Sequence, residues 1–146
     1  MGIAALKNLA NLDINTVIAT TLKADEDKVR EVSQRQLLRG ETPSGAKLPP
    51  YANQNYVRTK IGTPKTAPGG AMNLRNSGEF HRRITPVVAG TAITWPAERQ
   101  GRKYPFLVKY SDTGTLLAWN ERSIKTANQT FLVKDLAIEI KKQIFG

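Results

Sequence analysis

Apolar positions recur at helical spacing early in the chain. Ile14, Val17, Ile18 and Leu22 lie one turn or one heptad apart, and Val29, Val32, Gln36 and Leu37 continue the same face. Asp13 or Asn15 is placed to cap this run, and Gly40 follows Arg39 where a helix would end on a left-handed glycine. Asp25-Glu26-Asp27 interrupts the stripe. The pattern favours one long helix kinked at that triplet, although Asp25 could equally cap a second helix. Residues 1–10 are mildly apolar and fit a short helix or a loose arm. A second amphipathic run closes the chain: Leu132, Val133, Leu136, Ala137, Ile140 and Ile144 share one face, opposite mainly charged positions. Asn128 or Thr130 is its expected cap.

Between these helices the period changes. Residues 83–88 and 91–95 alternate as two strands joined around Ala89-Gly90, with Pro86 marking an edge or a bulge. Residues 104–110 fit either a strand or a short helix. Ser111-Asp112-Thr113-Gly114 reads as a turn, and residues 115–119 as a third short strand. The fold class is therefore α+β: a small antiparallel sheet packed against a long N-terminal helix and a C-terminal amphipathic helix. With 146 residues the chain suits a single domain. It divides into a helical part (1–40), an extended loop or arm (41–72) and a hairpin, strand and helix part (73–146).

Residues 41–72 have no sustained period. They carry Pro43, Pro49, Pro50, Pro64 and Pro68 among four glycines. A loop of that length is expected to be functional or to order against a partner. Charge strengthens this expectation. The net charge is +10, and it is unevenly spread. Residues 1–40 hold six Lys/Arg against five Asp/Glu, whereas residues 41–83 hold seven against two. Lys47, Arg58, Lys60 and Lys65, with Tyr51 and Tyr56 between them, form a candidate partner-binding surface, which Arg75 extends. Basic side chains interleaved with aromatics also suit single-stranded nucleic acid. On that alternative, Arg82 and Arg83 would join them as phosphate contacts.

Asn73-Leu74-Arg75-Asn76-Ser77-Gly78-Glu79-Phe80 is the hinge between loop and compact half. Leu74 and Phe80 are spaced to anchor apolar contacts at its two ends. Ser77-Gly78 offers a cap or a turn with positive φ, and Arg75 is expected to point outward with the loop.

No catalytic set emerges. The chain has no cysteine and one histidine, His81, which excludes disulfides and the usual zinc arrangements. Gly62-Thr63-Pro64-Lys65-Thr66 lacks the spacing of a phosphate loop. No apolar run has the length of a membrane span, and the first residues do not read as a secretory signal. A non-enzymatic protein without metal or cofactor, assembled in a reducing cytoplasm, is expected.

Three pieces in order carry a resemblance. Gln36-Leu37-Leu38-Arg39-Gly40 ends a helix and leads into Gly45-Ala46-Lys47-Leu48-Pro49-Pro50-Tyr51. Leu74-Arg75-Asn76-Ser77-Gly78-Glu79-Phe80 follows the basic loop. Residues 104–110 and 116–119 then precede the last helix. This order, across residues 30–146, resembles small virion morphogenesis proteins of tailed bacteriophages: the tail-completion, tail-terminator and neck proteins. The resemblance implies a ring oligomer, a hexamer or dodecamer, that docks on tail-tube, neck or portal-side proteins. It also implies possible contact with packaged DNA, no membrane, and a place in the virion tail or neck after assembly in the host cytoplasm.

Overall fold

The computed structural model describes residues 2–110 and 115–146. Three helices open the chain: α1 (Ile3–Ala10), α2 (Ile14–Ala24) and α3 (Glu26–Leu38). Asp13 caps α2, its carboxylate accepting from Asn15 N at 3.0 Å and from the Thr16 hydroxyl at 2.7 Å. The expected long helix is thus broken at Asp25, which ends α2 and precedes α3. Asp25 is buried and pairs with Lys28 at 2.8 Å, and Lys28 also reaches Asp135 at 2.6 Å. The acidic triplet is the joint between two helices, held by a cation that bridges to the C-terminal helix.

α3 ends on a Schellman motif. Gly40 N donates to Leu37 O at 2.8 Å and Glu41 N to Gln36 O at 3.2 Å, with Gly40 at φ +65°.

Residues 41–72 are not an extended arm, as the sequence pattern suggests. They fold back on their own chain. Bridges pair Glu41 with Lys47 and Pro50 with Ala71, Leu48 enters the core, and α4 (Gln54–Thr59) forms under an Asn53 cap. Tight turns and a few buried side chains replace the sustained hydrophobic period that a single element would need.

α5 (Glu79–Arg82) is one short turn after Gly78. A hairpin follows, β1 (Val87–Ala89) with β2 (Ala92–Thr94), in register Val87 to Thr94, Val88 to Ile93 and Ala89 to Ala92. Strand pairing starts just after Pro86, which has no N–H to give a ladder. Residues 104–110 resolve as helix: α6 (Tyr104–Leu107) with a 3₁₀ turn Val108–Tyr110. The turn expected at 111–114 lies outside the described residues.

The third strand expected at 115–119 is absent. Leu116 and Leu117 are fully buried there, but the backbone at Leu117 and Ala118 pairs with side chains of α3. Ser33 Oγ donates to Leu117 O at 3.2 Å, and Gln36 Nε2 donates to Ala118 O at 2.8 Å. A buried carbonyl needs a donor, and two polar positions on the inner face of α3 supply it in place of a neighbouring strand.

The terminal helix begins earlier than its apolar face suggests. Asn120 caps α7 (Glu121–Ala127), accepting from Ser123 N at 2.9 Å. A π-helical turn, Asn128–Leu132, continues it into α8 (Val133–Phe145). α7 packs on α3, and α8 packs on α1 and α2. No helix among the described residues is long and apolar enough to cross a membrane.

Two cores result. Leu37, Leu48, Met72, Ile84, Tyr104, Leu116 and Leu117 form one, and Val29, Val32, Ala127 and Phe131 the other. Trp95 touches both, and its ring lies 6.3 Å from that of Trp119.

Candidate functional site

A cleft of about 630 Å³ opens over the first core. Met72, Leu74, Phe80 and Leu107 make its apolar floor. Tyr51 and Tyr56 stand at one side, edge to face with centroids 5.4 Å apart. Arg83, Arg102 and Lys103 stand at the rim. The hinge thus lies within the lining: Leu74, Ser77, Gly78 and Phe80 all contribute.

The hinge is shaped by its backbone. Leu74 has φ +53° and Gly78 φ +80°. A leucine in the left-handed region is strained, and its surroundings must hold it there. Tyr51 helps, because its hydroxyl accepts from Leu74 N at 3.1 Å. Gly78 precedes α5, and Ser77 Oγ accepts from Glu79 N at 3.3 Å.

Beneath this wall sits a polar knot centred on Asn73, which is wholly buried. Its Oδ1 accepts from Lys60 Nζ at 2.8 Å, from Tyr51 OH at 3.2 Å and from Arg75 N at 3.1 Å. Its Nδ2 donates to Pro64 O at 2.7 Å. Its carbonyl lies 2.9 Å from His81 Nε2; a carbonyl only accepts, so the ring carries its proton on Nε2. Burial pushes the His81 pKa below its ordinary value, and the nearby Arg75 and Lys60 charges act the same way.

Lys60 is 1% exposed, so it cannot serve as the surface contact that the basic loop suggests. Its ammonium is spent internally on Tyr51 OH at 2.8 Å, Lys65 O at 2.6 Å and Asn73 Oδ1. It also lies 4.2 Å from the centroid of the Tyr51 ring. No carboxylate accompanies it among the described residues. Burial, with the charge of Lys65, lowers its pKa from 10.5 to about 8. The folded chain therefore releases this proton before the unfolded chain does. Between about pH 8 and 10.5 the unfolded state holds more protons, and stability should rise with pH across that window. The comparison is with Lys60→Met, which isolates this group. Urea titrations at the two ends of the window are expected to show a larger rise for wild type than for the variant; equal rises would show that Lys60 titrates normally.

The other expected contacts divide. Arg75 does not point outward but returns across the loop, donating to Thr63 O at 2.9 Å. Lys47 stands at the end of α3, bonded to Arg39 O at 2.9 Å and 3.4 Å from Glu41. Arg58 and Lys65 are exposed, and Tyr56 is partly so. Tyr51, Lys60, Leu74, Arg75, Ser77, Gly78 and Phe80 are thus gathered around the knot and cleft, whereas Lys47 belongs elsewhere. Asn73, Arg102 and Lys103 were not legible as site residues. A buried asparagine has no sequence signature, and no local pattern sets the two cations beside the hinge.

Lys47 belongs to a second polar centre, built around Glu41. Glu41 is buried and faces Arg39 at 2.9 Å, Arg122 at 3.0 Å, Lys47, and Asn120 Nδ2 at 3.2 Å. Burial alone would raise its pKa, but the hydrogen bonds from Arg39 and Asn120 and the charges of Arg39 and Lys47 outweigh it and hold the carboxyl below its ordinary value.

Among the described residues no group of three or more His, Cys, Asp or Glu is placed to hold a metal ion. Comparison with protein-family models, curated proteins and solved structures gives no match.

Proposed function

We propose that this chain is a structural protein of a tailed-bacteriophage virion, a ring-forming component of the neck or tail that acts by oligomerisation and docking. The motif order at residues 36–51, 74–80 and 104–119 supports the assignment. The observation that carries the assembly reading is that large apolar side chains stand exposed on several different elements. Ile3 (86% exposed), Ile14 and Phe145 (66% exposed) lie on α1, α2 and α8, while Ile61 (78% exposed) and Phe106 (73% exposed) lie on the loop and α6. A head-to-tail contact that closes into a ring joins two different patches of the same chain. Isolated exposed apolar residues are ordinary, but large ones on several different elements suit such a contact.

Native mass spectrometry and electron microscopy of the purified chain are expected to find a closed ring, hexameric or dodecameric. Phe145→Asp or Phe106→Asp is expected to weaken association about tenfold or more, the scale of one buried apolar anchor. A strict monomer at all concentrations, absent from virions, would overturn the proposal. Nucleic-acid binding is the weaker reading. Lys60 and Arg75 are spent internally, which leaves Arg58, Lys65, Arg82 and Arg83 as scattered exposed or partnered cations.

A further inference from the structure

Among the described residues the rim of the cleft carries net positive charge, with Arg83, Arg102 and Lys103 against Glu79. Arg102 and Lys103 are exposed, and no carboxylate among the described residues pairs with either. Glu79, the one acid among the described lining residues, is already engaged with Arg83 at 2.9 Å. Beneath the cations lie Leu74, Phe80 and Leu107, half-buried and aliphatic or aromatic. At about 630 Å³ the space is of the size that holds several side chains of a bound segment.

We infer that this cleft is a docking groove for an extended acidic segment of a partner protein. An apolar side chain of that segment seats between Leu74, Phe80 and Leu107, and carboxylates beside it meet Arg102 and Lys103. Bidentate pairing favours carboxylate at an arginine, and the apolar floor fixes the register.

Charge and backbone conformation together decide against a second copy as the occupant. Asp25, Asp27, Glu31, Glu41, Glu79 and Asp135 are held in ion pairs within the chain, Asp13 is a helix cap, and Glu26, Glu98, Glu121 and Glu139, which have no ion pair among the described residues, lie in helical turns and not in an extended segment. The exposed Phe145 is flanked by Lys141 and Lys142, which would meet the rim as like charges. Ring geometry decides against single-stranded nucleic acid. Bases need free aromatic faces. Phe80 is already stacked on Tyr104 at 6.4 Å, Tyr51 is engaged by Lys60 and Tyr56, and Tyr110 by Lys109, so among the described lining residues Tyr56 alone keeps an open ring face, too little for a stacking platform. The inference rests on the assembly reading only in making that partner a neighbouring virion protein.

The test is to pan a randomised short-peptide library, displayed on mRNA, against the immobilised full chain and against Arg102→Glu/Lys103→Glu. Both positions are exposed, so the double variant should keep the wild-type thermal midpoint. Peptides selected by wild type are expected to share an apolar residue flanked by Asp or Glu. The best of them, as a fluorescent synthetic peptide, should lose about tenfold or more in affinity for the double variant, and Leu74→Ala should weaken it independently. Selection without acidic enrichment, or an acidic consensus bound equally by the double variant, would overturn the inference. Binding of oligo(dT) at moderate salt that the double variant abolishes, with no peptide consensus, would overturn it in favour of nucleic acid. Failure here with rings intact removes the groove and leaves the assembly proposal; an acidic consensus on a strict monomer does the reverse.

Discussion

Asn73→Ala is expected to destabilise the chain by about 3 kcal/mol, because it strips an acceptor from a buried ammonium and a donor from the Pro64 carbonyl. Lys60, Tyr51 and the Arg75 amide all lose Oδ1, and Pro64 O loses Nδ2. For a chain of this size that corresponds to a fall of roughly 10 °C in thermal midpoint. The loss should also be non-additive. Lys60→Met removes the cation that Asn73 satisfies, so in the Asn73→Ala/Lys60→Met pair the two costs should overlap by about 1 kcal/mol or more. Urea unfolding of the four proteins measures this directly. Strict additivity would mean that the two side chains do not act through each other. Hydrogen exchange adds a spatial check: amides at 60–66 and 73–76 should lose protection first, while those of α3 keep theirs.

Gly40→Ala is expected to cost about as much, roughly 3 kcal/mol, for a different reason: a left-handed residue with a side chain pays about 1–2 kcal/mol, and overpacking adds a similar amount. Gly40 has φ +65°, and a Cβ there would lie 2.8 Å from Met72 O and 2.8 Å from the Ala67 Cβ. Neither neighbour is a flexible side-chain tip. Gly78 supplies the control. It also has positive φ, at +80°, but its nearest neighbour would be the Arg82 guanidinium at 3.0 Å, which can move aside. Gly78→Ala should therefore cost only the backbone part, about 1–2 kcal/mol. Equal losses at the two sites, read by the same urea titrations, would show that crowding around Gly40 relaxes freely.

These two positions mark what was readable in the sequence and what was not. Gly40 was legible, because an amphipathic stripe that ends at Leu37 and Leu38 followed by Arg-Gly is a helix stop with a local cause. The Asp13 cap and the hairpin around Gly90 were legible for the same reason. Asn73 was not. Its role depends on Tyr51, Lys60, Pro64 and His81, and their meeting is a tertiary event that leaves no period. The folding-back of residues 41–72 was missed likewise: proline and glycine disclose turns, but not what the turns pack against. The false third strand had another origin. Residues 115–119 have the apolar content of a strand, and only Ser33 and Gln36, more than eighty positions away, reveal that their backbone is satisfied from a helix. Gln36 did stand on the buried face in the periodicity, as a polar intruder without a visible partner. The cleft joins these cases: its floor follows from the hinge apolar residues, but its cationic rim comes from a loop that local patterns could not place beside them.

The seam between α3 and residues 117–123 also bears on how the chain reaches its fold. Ser33, Gln36 and Arg39 bind partners 82 to 87 positions away, and Asn8 binds the carbonyl of Ile144 across 136 positions. Helices usually permit rapid folding because their contacts are local, but here α3 finds its hydrogen-bond partners only after most of the chain has been made and brought back to it. Loop closure of that length is paid before the seam returns anything. The early helices would wait, with Gln36 and Ser33 solvated, until the last third of the chain arrives to dry them.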